Sequence, residues 1–102
     1  MAMYLYLTNG LYNDFKFKMN LSAIKKKLKF QAWHRGTREN DLLLGAYADV
    51  RLPDFSDSQL WLFEKLLNES DLDIFGWIVH KLEPLDIYQD LIRDIMHYHD
   101  KK

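Results

Sequence analysis

The sequence predicts an all-α protein, a small five-helix bundle preceded by an N-terminal extension. Two observations carry the prediction. From Ser22 onward apolar residues recur at spacings of three and four, the period of a helix with one buried face. The gaps between these runs hold residues that stop or start helices, namely Gly36, Pro53, Ser56 and Asp71, so the links are only two to six residues long. Strand-like alternation occurs only before residue 20. Short helices joined by short links pack as neighbours around a single core.

The elements follow in order. Residues 1–20 alternate apolar and polar positions around Asn9 and Gly10, a hairpin signal, but an isolated pair of strands is marginal in water. This segment is therefore expected to be either a hairpin or a flexible extension, with Met19 as a candidate alternative start and the folded domain at 21–102. In the first helix Ile24, Leu28 and Trp33 form one sticky face amid Lys25, Lys26, Lys27 and Lys29, and Gly36 ends it. The second begins near Thr37, a candidate N-cap, with Leu42, Leu43, Ala46, Tyr47 and Val50 as its expected inward stripe, and Pro53 stops it. Ser56 and Gln59 have capping-box spacing, and Leu60, Phe63, Leu66 and Leu67 share a face of the third helix. Asp71 is expected to cap a short fourth helix that sends Ile74, Phe75, Trp77 and Ile78 inward. The fifth is expected to carry Pro84 in its first turn, where a helix tolerates proline, and is defined by Tyr88, Leu91, Ile92, Ile95 and Tyr98.

With 102 residues, 48% of them hydrophobic, the chain can bury one compact core but not form a cleft between two domains. The absence of cysteine rules out disulfides, thiolate catalysis and cysteine-ligated zinc, and agrees with a reducing compartment. No apolar run approaches the roughly 20 residues of a membrane span. A soluble monomer, not embedded in a membrane, is expected. Charge is divided unevenly: residues 1–40 carry +6 and residues 41–102 carry −7. That split favours a partner of mixed or complementary charge over nucleic acid, which the acidic part would repel.

Motifs for chemistry are sparse. The four lysines lack an accompanying recognition helix or aromatic ladder and read as a solvated helix face. His97 and His99 lie two apart, on different faces of a helix, and make no metal pair. Asp71, Asp73 and Gly76 match three positions of a calcium loop, but Phe75 and Leu82 stand where oxygen ligands are required. No nucleophile has a base and orienter at a recognisable spacing, so an enzyme is not expected, and neither is a bound cofactor or metal.

One stretch resists a purely structural account. Between the first two helices, Arg35, Gly36, Thr37, Arg38 and Glu39 crowd three charges onto a tight break. Gly36 suits a left-handed helix end, and Glu39 gains a little from the helix dipole. Arg35 and Arg38 are expected to gain nothing comparable from packing, and Arg38 opposes the dipole. A rigid corner with exposed charges and an open backbone suits contact with another macromolecule.

These residues resemble the R-G-x-x-E signature of the succinate dehydrogenase flavinylation factors, the SdhE family of bacteria, which has a mitochondrial counterpart. Asp41 follows as in the family's longer R-G-x-x-E-x-D form. "FSDSQLWLFEKLLN" and "DLDIFGW" followed by "EP" resemble two further family segments in order and spacing, so the resemblance covers about residues 22–98. It implies a five-helix protein that binds the flavoprotein subunit of succinate dehydrogenase, or of fumarate reductase, and promotes covalent attachment of FAD to a histidine there. It also implies that the chain itself keeps no flavin, and that Arg35, Gly36 and Glu39 meet the partner near its FAD site, with Arg38 and Asp41 at the edge. Asn40 stands where the family usually has an apolar residue. An antitoxin-type regulatory interaction module, an activity attached to some relatives, is the alternative function. With few serines and no arginine before Arg35, the N-terminal region makes a poor transit peptide, so bacterial cytoplasm is expected over the mitochondrial matrix.

Overall fold

The computed structural model describes the backbone of residues 10–101 and the side chains of residues 20–101. Five helices appear in the expected order: α1 (Gly10–Trp33), α2 (Arg38–Arg51), α3 (Asp57–Leu67), α4 (Asp71–Ile78) and α5 (Gln89–Asp100), with short 3-10 turns at Leu52–Asp54 and Asp86–Tyr88. There is no strand among the described residues. The first strand of the proposed hairpin lies outside the described residues. From Gly10 on, where the second strand would run, the backbone is helical, because once a turn has formed each added residue closes one more hydrogen bond and nothing between Leu11 and Trp33 interrupts that series.

Local chemistry sets the boundaries. Thr37 is extended (φ −124°, ψ 141°), and its hydroxyl accepts from the Asn40 N–H, starting α2. Pro53 falls in the first 3-10 turn and brings α2 to its end at Arg51. Ser56 and Gln59 form the full capping box of α3. The cap of α4 is Ser70, whose hydroxyl accepts from the Asp73 N–H at 3.1 Å, and not Asp71 as expected. Asp71 is the first helical residue, and its carboxylate is engaged elsewhere.

The core is made where α2 lies against α1, α4 and α5 while α3 closes on α1. Leu60, Phe63, Leu66 and Leu67 of α3 are buried as their spacing predicts, whereas on α1 Leu28 is buried with Ala32 and the expected Ile24 and Trp33 are half-buried. The α2 stripe is rotated from the expected one: Leu44, Tyr47 and Ala48 are buried with Asn40, whereas Leu42 and Val50 are exposed. Three consecutive leucines fit more than one phase, and Gly45 selects a different one from that expected. A Cβ at Gly45 would overlap the Trp33 ring, so the bare glycine face of α2 must be the one that receives α1. The Trp33 indole N–H then donates to Asp49 at 3.0 Å. On α4, Ile74, Trp77 and Ile78 enter the core and Phe75 sits half-buried at its edge.

The charge asymmetry is used partly inside the fold. Lys27 pairs with Glu64, Lys29 with Asp49, and Lys25 donates to the Pro53 carbonyl, so the lysine face of α1 looks onto acceptors of later elements.

Candidate partner-binding site

The corner between α1 and α2 is built by Arg35, which the structure places inside it. Its side chain is only 10% exposed. Nε donates to Asp71 Oδ1 at 2.9 Å, one terminal nitrogen donates to the Glu69 carbonyl at 2.8 Å, and the other to the Leu67 carbonyl. Leu67 ends α3 and Asp71 begins α4, so the guanidinium lies at the negative end of one helix dipole and holds the anion at the positive end of the next. This is the packing role that sequence spacing did not disclose: Arg35 welds the α1 exit to the α3–α4 link.

Two neighbours complete the weld. The Asp41 carboxylate accepts the Arg35 backbone N–H, which fixes the chain where it leaves α1. Asn40 is 1% exposed, and its amide donates to the Asp71 carbonyl at 2.8 Å. Asn40 lies on the buried stripe of α2, four and seven residues before Leu44 and Tyr47, a face other than the one expected from the sequence. Gly36 turns the chain with φ +108°, a value that L side chains rarely adopt. Of the five residues expected at the site, Arg35 and Asp41 therefore build the corner, while Gly36, Arg38 and Glu39 form its exposed surface. Neither Arg38 nor Glu39 makes an ion pair among the described residues.

Beside this surface lies a depression of about 310 Å³ lined by Thr37, Glu39, Asn40, Asp71, Leu72 and Phe75. Leu72 is 83% exposed. Its place is explained by phase: Ile74, Trp77 and Ile78 point inward, which turns position 72 out of the core. Sequence reasoning passed over Leu72 and Phe75 as site residues; the signal was an apolar residue between Asp71 and Asp73 in a first helical turn. A larger depression of about 480 Å³, on the side of α2 and α5, contains Tyr47, Arg51 and Asp94, which partner one another. The corner thus presents a carboxylate, a guanidinium, an open backbone and an apolar wall. These are groups for recognising a protein surface.

No helix among the described residues is long and apolar enough to cross a membrane, and no group of three or more described His, Asp or Glu residues is arranged to hold a metal ion.

Comparison with known proteins gives the corner its context. The family model described as flavinator of succinate dehydrogenase matches residues 26–99. A succinate dehydrogenase assembly factor 2, mitochondrial, from Dictyostelium discoideum is 34% identical over 94 residues, covering 87% of this chain and 67% of that protein. The protein of the same name from Meyerozyma guilliermondii is 45% identical over 53 residues, 52% of this chain and 39% of the relative. The FAD assembly factor SdhE of Acetobacter pasteurianus is 33% identical over 63 residues, covering 62% of this chain and 58% of that one. The chain spans between about a fifth and two thirds of the length of the relatives it matches. No solved structure matches it. The eukaryotic relatives are named mitochondrial, which overturns the expectation of a bacterial cytoplasm. That expectation rested on the few serines and the lack of arginine before Arg35, a composition that does not report the compartment of the residues that fold. Since the family model spans most of the chain, including the corner and all of α2 to α4, this protein belongs to the family of flavinators of succinate dehydrogenase.

Proposed function

We propose that this chain binds the flavoprotein subunit of succinate dehydrogenase, or of a related fumarate reductase, through the exposed corner and promotes covalent attachment of that subunit's FAD. The observation that carries the reading is the corner itself: Gly36, Arg38 and Glu39 are held outward on a frame locked by Arg35, Asn40 and Asp41, within a chain whose family is defined by flavin attachment. Family membership favours this reading over the antitoxin-type one. The relatives' names favour a mitochondrial setting.

The contribution is positional. Bond formation needs the acceptor histidine of the subunit and the flavin 8α-carbon in a near-attack geometry. A partner that binds only the productive arrangement of the subunit's domains shifts the population toward it, by an amount equal to its differential affinity. The chain acts as a monomeric template that keeps no flavin and donates no group to the reaction.

Coexpression of a cognate flavoprotein subunit with and without the chain, followed by in-gel flavin fluorescence after denaturation, tests this. More covalent flavin is expected with the chain, and equal fluorescence in both lanes refutes the reading. Gly36→Arg should abolish the gain, because it combines backbone strain with a blocked surface. Glu39→Ala should reduce the gain while leaving the fold intact. Lys25→Glu combined with Lys26→Glu should have a smaller effect than either; a larger one would mean that the corner is the wrong surface.

A further inference from the structure

We infer that the depression beside the corner is a socket for one arginine side chain of the bound flavoprotein subunit, an inference that rests on the corner being the docking surface. The socket's polar lining is richer in acceptors than in donors: the Thr37 hydroxyl already accepts from the Asn40 N–H, and the Asn40 amide nitrogen is bonded within the chain. Glu39 stands exposed on it without an ion pair among the described residues. Asp71 uses Oδ1 for Arg35 and leaves Oδ2 without a hydrogen bond among the described residues. Asn40 is 1% exposed and its Oδ1 has no partner among the described residues, although its amide nitrogen is bonded to the Asp71 carbonyl. A buried acceptor left unpaired is destabilising, so a donor reaching it relieves a penalty already present in the free protein.

The remaining walls are apolar. Leu72 projects into solvent and Phe75 lies half-buried beside it. A side chain that fits must have an aliphatic stem to cover these two residues and a tip rich in N–H groups to meet separated acceptors. Arginine combines the two, and its planar fork can bond more than one acceptor and lie against an aromatic ring. An acidic tip would face two carboxylates, and a purely apolar one would leave Glu39, Asp71 and Asn40 desolvated without partners. Arg38 does not line the socket.

Two measurements test the inference separately from the proposed function. In the first, the chain alone is titrated with N-acetyl-arginine methylamide while amide resonances are followed. Saturable shifts are expected at Glu39, the Asn40 side chain, Leu72 and Phe75, with none from the norleucine or glutamate analogues. Absence of shifts, or equal shifts from all three, overturns the socket whatever the partner does. In the second, affinity for the flavoprotein subunit is measured for Leu72→Lys and Leu72→Glu, both at a position exposed enough to leave the fold unchanged. Lysine at the mouth should weaken binding about tenfold or more and glutamate less than about threefold. Equal losses, or the reverse order, overturn the inference. Socket shifts without any binding of the subunit by the unsubstituted chain would instead refute the proposed function.

Discussion

The guanidinium of Arg35 bonds three acceptors of its own chain, while Glu39, four residues on, bonds none among the described residues. Two charges of one short motif therefore do different work, and substitution should separate them. Arg35→Ala removes a nearly buried cation, strands the Leu67 and Glu69 carbonyls and leaves Asp71 without its partner, a loss of about 2–3 kcal/mol. Arg35→Lys should recover part of that loss only, since a single ammonium cannot span acceptors arranged for a planar fork. Glu39→Gln should stay within about 0.5 kcal/mol of the parent, as exposed substitutions usually do. Urea unfolding of the three variants, read beside covalent flavin on the coexpressed subunit, provides the check. Arg35→Ala should lose both stability and activity, whereas Glu39→Gln should lose activity alone. Gly36 has yet another role: a Cβ there would meet only Asp71 Oδ2, at 3.6 Å, so space is available and the cost of Gly36→Ala is that of the positive φ, about 1–3 kcal/mol.

Among the elements, α1 and α2 owe their close approach to a single missing side chain. Gly45→Ala should cost about 1–3 kcal/mol by pushing Trp33 away, enough to strain its bond to Asp49. A fall in thermal midpoint with a change in tryptophan fluorescence is the expected result; an unchanged midpoint would mean that the helices can slide apart at no cost. This contact also shows what the sequence could disclose. The existence and order of all five helices were readable from apolar spacing and from breaks between the runs, most clearly at Ser56, Gln59 and the α3 face, although α1 begins at Gly10, well before Ser22, and α5 has no side-chain cap. The face of α2 was not, since Leu42, Leu43 and Leu44 satisfy several phases, and the choice among them depends on Trp33 meeting Gly45 across a tertiary contact. The cap of α4 was misplaced by one residue because Ser70 and Asp71 are both good capping residues, and only the demand of Arg35 for the Asp71 carboxylate separates them. The corner was legible as unusual. The inward turn of Arg35 was not, because its acceptors are two backbone carbonyls and a carboxylate from more than thirty residues away.

For the molecule as a whole, the surface ion pairs between the basic first helix and the acidic remainder are exposed, and each contributes under about 1 kcal/mol. Two buried phenols tie the elements more firmly. Tyr47 of α2 donates to Asp94 of α5 at 2.6 Å, and Tyr88, just before α5, donates to Glu69 of the α3–α4 link at 2.6 Å. Burial pushes both phenols well above their ordinary value of 10.0, and the carboxylate that each one bonds adds to the shift. The sign of the linkage follows. Above pH 10 the unfolded chain gives up these protons while the folded chain keeps them, so the folded state binds more protons and stability must fall as pH rises. The contribution is complete below pH 10 and diminishes above it, by up to about 1.4 kcal/mol per pH unit for each phenol. Urea midpoints recorded between pH 8 and pH 11 should be level at first and then drop. Replacing Tyr47 and Tyr88 together by phenylalanine should lower stability at pH 8 and flatten the alkaline slope by up to two protons, since the groups that titrate differently in the two states are gone. An unaltered slope in that double variant would show that alkaline unfolding starts elsewhere, and that α5 is not held to α2 and to the α3–α4 link by these two hydroxyls.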